Sequence, residues 1–233
     1  MLVYESYSTA FPSSVRELEF GDVVECIPKY MCSKMTNLVK LKVGRNVREM
    51  PSNCFSNCKN LETVEWNAVS MEDAGTPFAS SVTQITFGKD VERIPENLCS
   101  KLKNLTSVVL PESLKEIGGS AFSYTGLKSV HIPDRVKSIE SYVFEGCEAL
   151  KEAVMGKEIN YIGYSAFNSC SALENIVIPE NVDSIAGFAF SDCSALTSIV
   201  ILDNVEVIDD HAFSDCEKLV SLTMGKKSSQ DRL

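Results

Sequence analysis

One motif recurs along the chain at a nearly constant interval of 23 residues. The pattern Ala-Phe-x-x-Cys-x-x-Leu occupies residues 166–173 and returns at 189–196 and 212–219. Ten units align on the first apolar residue of a Leu-x-x-Ile-x-Ile pattern, and successive units begin 21, 22 or 23 residues apart. The aligned residues are Val15, Leu38, Leu61, Val82, Leu105, Leu127, Leu150, Leu173, Leu196 and Leu219. Such a repeat predicts a solenoid, because one unit cannot bury its apolar side alone and stacked units share a continuous core.

Each unit divides into three parts with different apolar spacings. In the first part, the residues three and five positions after the aligned one are apolar, as Ile176 and Ile178 are, which is the alternation of a β-strand. Pro or Gly often follows and ends the strand. A second apolar pair lies three residues apart, as in Val182 and Ile185. The third part places Phe and Cys three residues apart, on one side of a predicted helical turn.

These three parts predict an α/β fold, a right-handed solenoid of about ten 23-residue coils. A parallel β-sheet is expected on one face, with short helical turns or a second narrow sheet opposite. The solenoid is predicted to span residues 11–224 as a single domain. Residues 1–10 are interpreted as an N-terminal partial coil or extension, and residues 225–233 as a polar tail.

Two features of the array leave alternatives open. Neither end shows an obvious polar cap, which favours a piece of a longer array over a tail that acts as a loose cover. The third and fifth units are two residues and one residue short, and both lose the Cys. We favour neutral variation in length as the explanation of these short units over loops that serve a function.

Charge and hydropathy argue against two classes of partner. The formal net charge is −10 at pH 7, whereas nucleic acids and anionic membrane surfaces select chains with an excess of Lys and Arg. No apolar run approaches the roughly 20 residues that span a bilayer, so no direct membrane insertion is expected. Residues 1–6 lack the basic and apolar regions of a secretory signal. A cytosolic protein and an exported one whose signal has been removed therefore both remain possible.

The nine cysteines are most informative in the C-terminal half, where they form a ladder with phenylalanines. Its members are Phe144, Cys147, Phe167, Cys170, Phe190, Cys193, Phe213 and Cys216. Metal binding would call for paired Cys-x-x-Cys motifs or nearby His, and the chain has neither. Disulfides between neighbouring coils are conceivable by distance, but side-by-side thiols rarely meet the required torsion. We interpret these cysteines as small buried residues that pack beside Phe. Cys54 and Cys58 are predicted to face different ways.

The residue types of known catalytic and cofactor sites do not come together in this sequence. His131 and His211, the only histidines, are 80 residues apart. No Cys or Ser nucleophile shares a coil with a suitable His and acid, and no phosphate-binding glycine loop occurs. The chain is therefore predicted not to be an enzyme, with no catalytic, metal or cofactor-binding residues and no cofactor.

The alternate residues of the predicted strands offer a better functional candidate. One outward-facing row is charged in the N-terminal half and then apolar, and we interpret its later part as the partner-binding face. These residues are Val109, His131, Val154, Val177 and Val200. Contiguous exposed apolar surface often marks an interaction site. Two alternatives stay open: valine occurs in this row because β-branched residues favour strands, or another molecule covers the face, including a second copy of the chain.

The Ala-Phe-Ser-Asp-Cys-Ser-Ala-Leu motif, followed by a Val/Ile-x-x-Ile pair, resembles the BspA-like (Treponema pallidum-type) branch of the leucine-rich repeats. The resemblance covers roughly residues 11–224 and is most specific over 139–224. It implies a leucine-rich repeat solenoid on the surface of, or secreted by, a host-associated bacterium or a mucosal protist. Such proteins typically bind host matrix proteins, host cells or other microbes, and share no catalytic residues.

Together, the residues and the resemblance predict a non-enzymatic binding module of the adhesin type. Its expected ligand is a protein or a glycan, with components of the host matrix among the candidates, and its expected location is the cell surface or the medium. The alternative is an intracellular scaffold or signalling adaptor with the same fold. The oligomeric state stays open, and self-association through the sheet face is one possibility.

Overall fold

The computed structural model of the protein describes residues 11–28, 32 and 34–225. Within these ranges the chain winds as a solenoid of short parallel strands and turns, and it contains no helix. The predicted solenoid is confirmed, and the predicted helical turns are wrong. It follows that no described segment could cross a membrane as an apolar helix. The predicted N-terminal extension, residues 1–10, and residues 226–233 of the predicted tail lie outside the described residues.

The first apolar part of each coil forms the larger face, which we call the primary sheet. Its strands are β1 (Glu17–Phe20), β2 (Lys40–Val43), β3 (Thr63–Trp66), β4 (Gln84–Phe87), β7 (Ser129–His131), β9 (Glu152–Val154), β11 (Asn175–Ile176), β13 (Ser198–Ile201) and β15 (Ser221–Met224). Equivalent residues of successive coils pair in parallel, as Leu41 does with Leu18 and Val64. Side chains alternate between core and surface: in β13, Ile199 and Ile201 are buried while Ser198 and Val200 are exposed.

The second apolar pair of each coil forms a narrow sheet on another side of the solenoid. Its two-residue strands are β5 (Arg93–Ile94), β6 (Glu116–Ile117), β8 (Ser138–Ile139), β10 (Tyr161–Ile162), β12 (Ser184–Ile185) and β14 (Val207–Ile208). In the first five of these strands the Ile points inward, and the preceding residue lies on the surface or at its edge. The alternative of a second narrow sheet is therefore the correct one.

The Ala-Phe-x-x-Cys part is a turn in which left-handed residues recur. The residue two positions before the Phe, or before the residue that replaces it, has φ between 52° and 63°. These residues are Asn53, Thr76, Asn97, Ser120, Tyr142, Ser165, Phe188 and His211. Many residues two positions after the Phe are also left-handed, including Tyr124, Gly146, Ser169, Asp192 and Asp215.

At the left-handed residues, backbone hydrogen bonds run between neighbouring coils and not along the chain as in a helix. The N–H groups of Tyr142, Phe144 and Gly146 donate to carbonyls of the next coil at 2.8–2.9 Å. A helical turn would direct its N–H groups back along its own chain and leave the neighbouring coil without these partners. The sequence did carry a signal, because Asn, Asp, His and Gly, which tolerate φ > 0 better than most residues, occupy several of these positions.

The core is one continuous apolar column in which phenylalanines stack along the solenoid axis. Centroids of successive rings from Phe122 through Phe144, Phe167 and Phe190 to Phe213 lie 5.2–5.7 Å apart, and the rings are within 19° of parallel. All of these rings are fully buried except Phe213, which is partly exposed. The spacing follows from the coil interval, which places identical side chains directly above one another.

The primary sheet is interrupted at the fifth coil. Residues 107–110 form no strand, and within the described residues their backbone groups make no hydrogen bond to either neighbouring coil. Val108, Val109 and Leu110 have high intrinsic strand propensity, so the interruption is a tertiary effect. It lies in the fifth coil, which is one residue short (Leu105 to Leu127), and the third coil is two residues short (Leu61 to Val82). On the narrow sheet the same coils remain paired, with Arg93 opposite Glu116.

We expect amide hydrogen exchange to reveal this interruption. The amides of residues 107–110 should exchange on the order of a hundredfold faster than those of β13, because no backbone partner protects them. Hydrogen–deuterium exchange read by mass spectrometry on peptides that cover the two segments measures the difference. Equal protection would mean that the primary sheet is continuous.

Candidate partner-binding surfaces

The exposed apolar residues of the primary sheet lie together in its C-terminal half. Val154, Val177 and Val200 expose 42%, 80% and 51% of their surface and lie on successive coils. Val154 and Val177 line a groove of about 520 Å³, to which Met155, Pro179 and Leu202 also contribute. We call these five residues the valine groove. Glu152, Lys157 and Glu180 give it a charged rim.

The structure separates the predicted face into a connected part and an isolated residue. His131 is exposed in β7 and lies opposite Val154 in the strand register. Val200 is in β13 on the next coil, beside the groove rather than in its lining. Val109 is 85% exposed but belongs to the interrupted segment, so no strand pairing joins it to His131.

Sequence reasoning missed the part of the groove that lies just beyond the strands. Leu202 occupies the position that holds Pro133, Gly156 and Pro179 in the preceding coils. It is 40% exposed, although large apolar residues are uncommon at turn positions. The replacement of Pro or Gly by Leu202 at this turn position was therefore the sequence signal that could have predicted its place in the groove.

The N-terminal half of the primary sheet has a different character. Lys40 pairs with Glu17 at 3.2 Å, and Lys42 lies between Glu19 and Glu65 at 2.9 Å and 4.0 Å. The hydrogen bond from Lys42 to Glu19, with the charges of Glu19 and Glu65, raises the pKa of the Lys42 ammonium. These exposed pairs add little stability, but they make this half a polar surface that offers no apolar anchor.

The Phe/Cys ladder lies in the core, and its thiols make a repeated contact. Cys147 Sγ donates to the carbonyl of Phe122 at 3.1 Å, and Cys170 Sγ donates to that of Phe144 at 3.2 Å. Cys193 and Cys216 repeat the contact with the next two phenylalanines. Each thiol thus donates a second hydrogen bond to a carbonyl of the preceding coil, which already accepts one within its own turn, and this gives a reason for Cys over Ala or Val at this position.

The cysteines are poorly suited to metal binding or to nucleophilic reactions. All nine are free thiols, and the described residues contain no group of three or more His, Cys, Asp or Glu placed to hold a metal ion. Burial raises the pKa of Cys147 to about 11 and that of Cys170 well above its ordinary value, which keeps both thiols protonated and unreactive. Cys54 and Cys58, which were expected to face different ways, are both buried.

Alkylation should therefore select one cysteine. Cys26 is the exposed thiol, and its pKa is raised by partial burial and by the adjacent Glu49. With iodoacetamide at neutral pH we expect a single fast adduct at Cys26, formed more slowly than with free cysteine because less thiolate is present. Glu49→Gln should speed the reaction, and peptide mapping reads the site. Equally fast labelling of Cys170 in the folded protein would contradict its burial.

A second aromatic ladder lies on the surface and was not predicted from the sequence. Tyr142, Tyr164, Phe188 and His211 follow one another with centroid distances of 5.6, 5.6 and 4.9 Å. Phe188 and His211 are parallel within 3°, so their faces are turned toward each other. His211 therefore has a place in the repeat, as the last ring of this surface stack.

Comparison with known proteins agrees with this architecture. The family model described as the BspA-type leucine-rich repeat region matches residues 5–128 and 115–230, with 6 copies. No curated protein matches the chain significantly.

The chain is similar to several solved structures, two of which have TM-scores of 0.52. The leucine-rich repeat protein of Treponema pallidum is 28% identical, with a TM-score of 0.52, over 68% of this chain and 72% of that one. A leucine-rich repeat protein from Eubacterium ventriosum is 20% identical, with a TM-score of 0.52, over 91% of this chain and 73% of that one. A leucine-rich cell surface protein from Faecalibacterium prausnitzii is 21% identical, with a TM-score of 0.37, over 91% and 84%. With its repeats matched by the family model over nearly the whole length, the chain belongs to the BspA-type leucine-rich repeat family.

Proposed function

We propose that this protein is a non-enzymatic binding module of the adhesin type, and that it holds a protein partner in the valine groove. The observation that carries the proposal is the cluster of exposed Val154, Val177 and Leu202, which line one groove on successive coils of the solenoid. Solvent-exposed apolar side chains that converge on one groove are costly to leave in water and gain free energy when a partner covers them.

A protein fits this groove better than a glycan does. Protein interfaces are centred on apolar anchors surrounded by a polar rim, and the groove has both in Val177 with its neighbours and in Glu152, Lys157 and Glu180. Sugar hydroxyls need many hydrogen-bonding side chains, and the floor of this groove is aliphatic. Val154 lies in β9 and Val177 follows β11 directly, so the backbone that carries these two anchors is ordered before a partner binds, which lowers the entropy cost of binding.

The location proposed for this module is the cell surface or the surrounding medium, with a host matrix protein as the partner. Membership of the BspA-type family supports this location, since such repeats are commonly surface-associated. The rival is an intracellular scaffold, which would use the same groove for a different partner.

The experiment is a binding measurement with immobilised array and a panel of purified matrix proteins, such as collagen, laminin and fibronectin. An apolar groove predicts that the affinity for its partner persists when the salt concentration rises, because buried apolar area is not screened. Sedimentation of the protein alone tests a second copy as the occupant. Binding that disappears at high salt, or dimers that occupy the groove, would overturn the proposal.

A further inference from the structure

A second groove lies on the narrow sheet, on a different side of the solenoid from the valine groove. It has a volume of about 730 Å³ and crosses β5, β6 and β8. Four cationic side chains line it: Arg93, Lys115, Arg135 and Lys137. We call it the cation groove. Since Arg93, Lys115 and Lys137 are on three consecutive coils about 4.8 Å apart, positive charge extends about 10 Å along the solenoid axis.

Part of this positive charge is not neutralised within the protein. Arg93 pairs with Glu116, and Lys115 pairs with Glu92 at 2.9 Å. Arg135 and Lys137 form no ion pair in the part of the chain that the structure describes. In the same part, the Arg93 Nε–H is buried without a hydrogen-bond partner.

The groove stands out against the charge of the whole chain. Its lining holds four cations and the three carboxylates of Glu116, Glu140 and Glu158, and Glu92 pairs with Lys115 from outside the lining, so the groove is formally neutral where the whole chain carries −10. Lys115 and Lys137 occupy the same position of successive coils, so their charges repel each other. In the three following coils that position holds Asn160, Asp183 and Glu206. The cations are thus confined to one stretch of the narrow sheet.

We propose that the cation groove binds an acidic glycan, through the carboxylate or sulfate groups of successive sugars. Such groups accept charge-assisted hydrogen bonds from Arg and Lys, and a chain of them matches cations spread over three coils better than one small anion does. A protein partner would need an apolar anchor, and the apolar side chain in the lining, Ile117, is fully buried. The polar Ser138 and the carboxylates of the rim suit the hydroxyls of a sugar chain.

The test uses two oligosaccharide probes, a heparin-derived sulfated oligomer and an oligogalacturonate, with a neutral malto-oligomer as the reference. We expect both acidic probes, and not the neutral one, to bind by titration calorimetry, with an affinity that falls as salt rises. Arg135→Gln with Lys137→Gln should reduce the affinity about tenfold or more, since two charge-assisted contacts are lost and no internal ion pair is broken. Glu158→Gln, which removes an exposed anion from the lining, should tighten binding several-fold.

The matched control is Lys128→Gln with Lys151→Gln. These lysines are also exposed, lie on successive coils and form no ion pair within the described residues, but they precede strands of the primary sheet. The control pair removes the same charge, so an equal loss of affinity in both double variants would overturn the groove assignment. Failure of both acidic probes to bind, or inorganic sulfate binding as tightly as the oligomers, would also overturn it. Because this groove shares no lining residue with the valine groove, neither result bears on binding at the primary sheet.

Discussion

The double variant V154D/V177D is expected to lose binding of a protein partner while the solenoid stays folded. Val154 in β9 and Val177, directly after β11, both line the valine groove, so aspartates there would place two carboxylates where a partner buries apolar surface. Each anchor of this kind contributes about 2 kcal/mol, and the combined loss is on the order of a thousandfold in affinity. Surface plasmon resonance against the partner found with the matrix panel measures it.

The stability of this variant must be followed together with its binding. Aspartate has low strand propensity, so a cost of about 1 kcal/mol for each substitution is expected, with unchanged circular dichroism. Val23 and Val220 are 93% and 88% exposed and lie outside the groove, which makes V23D/V220D the matched control for added charge. Unchanged binding by V154D/V177D, or an equal loss in V23D/V220D, would place the interaction elsewhere.

Replacing Phe167 by alanine is expected to destabilise the C-terminal half of the solenoid by about 3–5 kcal/mol. The ring is fully buried and stacks between Phe144 at 5.2 Å and Phe190 at 5.3 Å, so its removal leaves a cavity bounded by two other rings. Coils contact only their neighbours, and a weakened interface can therefore divide the array into two units that unfold separately. Urea unfolding followed by circular dichroism should show an earlier transition that covers part of the signal.

The same substitution at the end of the ladder is the control. Phe213 is partly exposed and stacks on one ring, Phe190, so Phe213→Ala should cost less than about 3 kcal/mol. Hydrogen exchange of peptides on both sides of Phe167 tells whether the two halves separate. If Phe167→Ala costs no more than Phe213→Ala, the stacked rings are not the main link between these coils.

The sequence predicted the inward-facing residues of this protein well. Ile199, Ile201, Phe167 and Cys170 lie in the core because they occupy the apolar positions of the repeat. Any solenoid with this period must place equivalent residues one above another. The alternation of apolar and polar residues within a single coil was therefore enough to predict which side chains face the core. The turn after each narrow strand was predicted less well. A spacing of three between Phe and Cys fits a helical turn, but hydrogen bonds to the next coil compete with helical bonds and prevail.

By itself, the sequence determined the solenoid, the position of the primary strand in each coil and the composition of its core. Those properties can be predicted because the same apolar pattern recurs in the residues of every coil. Only the tertiary structure decided where the repeat fails and what its surfaces bring together. The sheet is interrupted at residues 107–110 despite their strand propensity. The two grooves combine residues from successive coils, Val177 with Leu202 and Lys115 with Lys137. These features depend on how coils of unequal length stack and on which backbone groups then meet, and local residue patterns do not encode either.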